Sequence, residues 1–196
     1  AFALPLISVI YGSDIATTGR AALGEWLIVT DRVAQVLPFF AVLVGALLGI
    51  LAWSPDLAGR HVYALSLPVP RAVFVSLRFG AGTVLALIPS AALAAGAAIA
   101  SMAIRLPPGV RAYPVEISVR FTLATLTVYA IIFALASASR RGQLAIIGAI
   151  CAAIMLDVVL LAFGASFSVT AETLNAVITW PGPLSILVGR WALFDV

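Results

Sequence analysis

Four stretches, 33–54, 74–104, 117–138 and 144–165, each run for about 20 residues or more with at most one charged side chain inside. Runs of that length and apolarity match the thickness of a bilayer. In a bilayer only helices and closed barrels satisfy every backbone polar group. Composition agrees. The chain is 63% hydrophobic and only 10% charged, against roughly a quarter charged in a soluble domain. The expected fold class is therefore all-α: a polytopic helical membrane protein, with residues 1–196 as one transmembrane domain.

The boundaries of the stretches follow from charges and helix breakers. Asp31 and Arg32 precede the first, and Ser54-Pro55-Asp56 is expected to stop it. Arg105-Leu106-Pro107-Pro108-Gly109 ends the second, which Pro89 is expected to kink because proline deletes a backbone hydrogen bond. Ser139-Arg140-Arg141-Gly142 separates the last two, a turn so short that they are expected to pack as antiparallel neighbours. The small residues of Ala91–Ala98 predict a helix-packing face, since small side chains let helix backbones approach.

Other segments fit the pattern less well. The apolar run 1–10 reads as the tail of a truncated membrane helix, because it lacks the basic flank and cleavage pattern of a signal peptide. Residues 20–29 mix Arg20 and Glu25 with apolar positions, as a short interfacial helix does. In 176–194, Trp180-Pro181-Gly182-Pro183 interrupts an apolar stretch, so an outer re-entrant or interfacial helix is expected, leading to a missing last span.

All eleven basic side chains are arginine. Without lysine there is no P-loop to cradle nucleotide phosphates and no lysine Schiff base. The arginines sit at stretch ends rather than in one stripe, which argues against nucleic acid as a partner. Arg60 and Arg71 with His61, and then Arg140 and Arg141, flank two intervening spans and so share one side. The positive-inside rule assigns that side to the cytoplasm; the expected location is the cell (inner) membrane.

The segment 56–71, Asp-Leu-Ala-Gly-Arg-His-Val-Tyr-Ala-Leu-Ser-Leu-Pro-Val-Pro-Arg, is the most specific stretch. Apolar Leu57, Tyr63, Leu65 and Leu67 among Asp56, Arg60 and His61 describe a helix lying in the interface plane. Pro68 and Pro70 stiffen its return into the next span. On its own chemistry the segment reads equally as an ordinary membrane-surface helix anchored by Tyr63 and Arg60. It also resembles the cytoplasmic segment between the second and third spans of ABC-2-type transporter permeases. Gly59, Leu65, Ser66, Leu67, Pro68, Val69 and Arg71 fall at that family's spacing. Arg60 stands where the family has threonine, Pro70 where it has serine, and Asp56 lies three residues ahead of Gly59.

The resemblance implies about six transmembrane helices in the full protein, the first truncated and the last missing here. It implies a cytoplasmic coupling helix in which Asp56, Gly59, Arg60, His61, Tyr63, Leu65, Pro68 and Arg71 contact a separate ATPase subunit. That partner binds ATP and Mg, so the chain itself carries no cofactor and is no enzyme. A second permease copy or a paralogue completes the substrate pathway.

Asp157 lies inside the fourth stretch, where an ionisable side chain is costly and often functional. Counted from the short turn, it is about 24 Å along its helix and Arg120 is about 30 Å along the neighbour. Similar depth favours an intramembrane pair of Arg120 and Asp157; a substrate or proton contact and a snorkelling residue are the alternatives. His61 and Cys151, the only histidine and cysteine, stand on different segments and make a poor metal site. Cys151 is expected as a small packing residue. Gly164-Ala165-Ser166 resembles the start of a serine-nucleophile motif, but no histidine at that depth can act as its base.

The expected function is that of a membrane-spanning permease subunit of an ABC transporter. The alternative is a non-transport polytopic protein, either an assembly factor or a membrane-embedded enzyme. Co-purifying partners distinguish them.

Overall fold

The computed structural model describes residues 28, 30–32, 34–57, 70–103, 106, 109–163, 167–189 and 191–195. The expected span over 1–10, and all of the expected helix over 20–29 except Ile28, lie outside them. The described chain is mostly helical: α1 (Leu37–Leu57), α2 (Arg71–Ala103), β1 (Arg111–Ala112), α3 (Pro114–Ser137), α4 (Arg140–Ala162), α5 (Val169–Ile178) and β2 (Phe194–Asp195). Four helical segments are long and apolar enough to cross a bilayer: Thr30–Ser54, Ala72–Ala103, Pro114–Ser137 and Arg140–Ala162.

The helix ends have local causes. α1 runs past the expected stop at Ser54-Pro55-Asp56 to Leu57. Pro55 cannot donate to the carbonyl of Leu51 four residues back, but the Ser54 hydroxyl bonds that carbonyl instead at 3.0 Å. α2 follows directly on Pro70 and continues through Pro89 for 33 residues. That is about 50 Å at 1.5 Å per residue, longer than the hydrocarbon core. α3 opens on Pro114 with Glu116 in its first turn, both favourable at a helix N-terminus. Ser139 caps α4 by accepting from the Gly142 amide at 3.2 Å.

α1, α2 and α3 form one packed body, with α3 against both partners. α1 and α3 run parallel. Ala41 is fully buried on α1, and Gly45 and Gly49 continue its stripe into the backbone of α3. A Cβ on Gly45 would stand 2.6 Å from the Thr125 carbonyl oxygen, and one on Gly49 would stand 2.6 Å from Ile132 Cγ2. This is the close approach that small residues at four-residue spacing permit. Within the expected packing stretch of α2, Leu93 and Ala97 are buried in the core, whereas Ala91, Ala94 and Ala98 line an open groove against α3.

The body has two ends. At the near end α1 finishes and α2 begins; at the far end α2 finishes and α3 begins. The main apolar cluster sits at the far end, where Leu37, Ala100, Ile117 and Phe121 meet Trp191, Leu193 and Phe194 of the C-terminal segment. There β2 pairs antiparallel with β1, Ala112 opposite Phe194.

Two expectations fail here. α4 is not a packed neighbour of α3: none of its residues is buried, and Cys151 is exposed on it. Ala138 and Ser139 are both extended, with ψ of 145° and 155°, so the connection carries the chain away from α3 before α4 begins. α3 packs instead on α1 and α2. A helix apolar on all sides needs no protein partner in a bilayer.

The second failure is the single helix expected over 176–194. α5 ends at Ile178, since Pro181 and Pro183 lack the amides that a continuing helix requires. Residues 182–188 instead form turns, with Leu187 N to Leu184 O at 2.9 Å and Val188 N to Ser185 O at 3.2 Å.

Candidate functional site

The segment singled out for coupling lies largely outside the described residues. Gly59, Arg60, His61, Tyr63, Leu65 and Pro68 all belong to 58–69, and Asp56 and Arg71 are described in backbone only. What the structure describes is the seat of that segment, the ends of α1 and α2 that flank it.

The seat is aromatic and tightly tied. Trp53 on α1 lies 5.3 Å, ring to ring, from Phe133 on α3. Phe79 on α2 stacks at 5.1 Å on Tyr129 and meets Phe133 edge-on at 5.2 Å. Tyr129 and Phe133 are themselves one helical turn apart, at 5.7 Å. The Arg78 guanidinium stands 4.8 Å from both the Trp53 and the Phe74 ring centres. Such cation–π contacts are worth about 2 kcal/mol or more each when desolvated, and about 0.5–1 kcal/mol when exposed. Arg78 is half-buried, between those limits.

Tyr129 locks α3 to α2. Its ring is fully buried against the backbone of Gly82, where a Cβ would stand 2.8 Å from Cε2. Its hydroxyl donates to the Phe79 carbonyl at 3.0 Å. Three helices therefore converge on one cluster, at the end of the body where α1 finishes and α2 begins. Sequence reasoning passed over this cluster. The signals were present: Arg78 inside an apolar run between Phe74 and Phe79, and Tyr129 and Phe133 at one-turn spacing.

Arg120 and Asp157, expected as an ion pair, are engaged elsewhere. Arg120 donates through Nε to Ile186 O at 3.1 Å and through a terminal nitrogen to Val188 O. It also stands 4.9 Å over the Trp191 ring. Gly189 makes room for it: its φ of +108° is open to glycine, and a Cβ there would stand 2.9 Å from the guanidinium. Asp157 accepts from Val169 N at 2.6 Å, Thr170 N at 2.9 Å and Ser168 Oγ at 2.9 Å. The physical reason for the correction is that depth alone does not choose a partner. Backbone groups that no helix can satisfy lie nearer to each side chain than the opposite charge does: the first amides of α5 for Asp157, and the turn carbonyls for Arg120.

The open groove between α2 and α3 has a volume of about 630 Å³ and is lined by Leu87, Ser90, Ala94, Ala98, Ser118 and Thr122 among others. Its hydroxyls are spent on their own helices: Ser90 on Ala86 O, Ser118 on Pro114 O, Thr122 on Ser118 O. Among the described residues no three His, Cys, Asp or Glu side chains gather as a metal site. Gly164-Ala165-Ser166 lies outside the described residues. Comparison with protein families, curated proteins and solved structures finds no match to this chain.

Proposed function

We propose that this chain is the membrane-spanning subunit of an ABC transporter of the ABC-2 type, seated in the inner membrane with its near end in the cytoplasm. The observation that carries the reading is the position of the Gly59-to-Arg71 pattern. It bridges α1 and α2 at the very end where Trp53, Phe74, Arg78, Phe79, Tyr129 and Phe133 tie those helices to α3. A force applied to a segment held at both ends by a rigid cluster moves the helices together instead of bending one of them.

In this reading a separate ATPase docks on 56–71 through Tyr63 and Leu65, with Arg60 as a charged contact. It binds ATP and Mg, and its opening and closing are passed to α1–α3. Substrate moves along the interface with a second permease copy or a paralogue. The chain supplies the path and no covalent chemistry. The arginine distribution supports the orientation, with Arg140 and Arg141 at the start of α4 on the same side as Arg60 and Arg71. The test is recovery of the chain from its native membrane. A P-loop ATPase recovered with it, at a fixed ratio, supports the reading. Recovery with a different client complex, or alone, removes it.

A further inference from the structure

α4 raises a mechanical question that is independent of the transporter reading. It is a 23-residue helix with no buried residue, entered through two extended residues, and it is tied to the α1–α3 body in its first turn, where the Gln143 side-chain amide donates to the Leu135 carbonyl at 3.2 Å. Its three half-covered positions beyond the first turn, Ala153, Asp157 and Leu160, share one face. The position of α4 is therefore fixed from its ends.

At the far end the contacts form a chain. Asp157 of α4 accepts from the first two amides of α5, Val169 N and Thr170 N, and from Ser168 Oγ. Ser168 in turn accepts from Ala171 N at 3.1 Å. Three of the four amides that α5 cannot satisfy internally are thus held by two side chains, which fixes α5 on α4. α5 is tied to the following turn by Leu184 N to Val177 O at 3.0 Å. That turn gives its carbonyls at Ile186 and Val188 to Arg120 of α3, while Trp191 packs on the same guanidinium and donates to Leu187 O at 3.2 Å. Tyr113 N to Leu193 O at 2.8 Å and the β1–β2 pair finish the attachment.

We propose that residues 168–195 are a strap that sets the position of α4 relative to the α1–α3 body, with Asp157 and Arg120 as its two pins. A carboxylate inside an apolar span is costly. It is retained here because it couples α4 to α5 without direct helix packing. Asp157 is a positioning residue: loss of its pin lets α4 swing about residues 138–139 while the body keeps its own packing.

The test is a distance distribution between spin labels on the full chain in bilayer nanodiscs. The native Cys151, exposed on α4, takes one label, and Leu123→Cys, exposed on α3, takes the other. A control pair joins Leu47→Cys on α1 to Leu85→Cys on α2 in a Cys151→Ser background. In the otherwise native chain both distributions are narrow. Asp157→Ala broadens the α3–α4 distribution and leaves the α1–α2 pair unchanged. Asp157→Asn, which keeps one acceptor, falls between them. Arg120→Gln broadens the same pair, and the double variant broadens it no further, because the pins act in series. An unchanged α3–α4 distribution in Asp157→Ala overturns the proposal. Equal broadening of both pairs also overturns it, since Asp157 would then support the fold at large.

Discussion

Gly45 of α1 lies directly against the backbone of Thr125 in α3, so close that a Cβ would stand 2.6 Å from the Thr125 carbonyl oxygen and 2.9 Å from Val128 Cβ. Both obstacles belong to the middle of a helix and cannot rotate away. Gly45→Val is therefore expected to force α1 off α3 and to cost about 1–3 kcal/mol, the usual penalty of overpacking. Reversible unfolding in mixed detergent measures it. Gly148→Val on α4, where nothing lies within reach of a new Cβ, is the comparison and should change little.

The contact of Tyr129 with Gly82 makes a second, coupled case. Gly82→Ala places a methyl inside the space of the Tyr129 ring, and should destabilise. Adding Tyr129→Leu removes the obstacle. The double variant should then lie well above the sum of the two losses, with an interaction energy of about 0.5–3 kcal/mol. Tyr129→Phe alone removes only the hydrogen bond to the Phe79 carbonyl, and should cost about 0.5–1.5 kcal/mol. Simple additivity in unfolding free energy would mean that these residues do not share one site.

The long helices were legible because the bilayer imposes length and apolarity together, so each of the four long apolar stretches maps onto one helix. Their packing was less so. The Gly45-to-Gly49 spacing carried the α1–α3 contact, yet it is inconspicuous beside the dense small residues of 91–98, of which Ala91, Ala94 and Ala98 line a groove. The short turn Ser139-Arg140-Arg141-Gly142 suggested that α3 and α4 pack; the extended dihedrals of Ala138 and Ser139 carry the chain away first, and composition does not encode them. Arg120 and Asp157 were recognisable as residues that must have partners. Their partners are backbone groups of turns and helix ends, which acquire an address only when the chain is folded.

Arg120 should hold the C-terminal segment in place. Arg120→Gln loses a planar donor shared between the Ile186 and Val188 carbonyls and its stacking on Trp191. Hydrogen bonds to a charged group are worth about 1.5–3 kcal/mol each when lost. Amide exchange in 186–195 should therefore accelerate, while exchange in the middle of α1 stays as it was. Equal acceleration in both would assign Arg120 to the stability of the whole body.

Orientation is tested by accessibility. In a Cys151→Ser background, cysteines at Ser66 and Ser139 should resist an impermeant thiol reagent added to intact cells. A cysteine at Thr173, exposed on α5, should react. The reverse pattern would turn the molecule over and place the Gly59-to-Arg71 segment where no ATPase can reach it.

The most direct test of the account is at that segment. Buried interface anchors commonly carry about 2 kcal/mol or more each, so Tyr63→Asp with Leu65→Asp should break a docking surface while leaving Trp53, Phe79, Tyr129 and Phe133 unaltered. Chain recovered from its native membrane should bring a P-loop ATPase with it. The doubly altered chain, inserted to the same level, should bring none. An unaltered chain that is recovered without an ATPase, or an altered chain that keeps the same ATPase in full, contradicts the account.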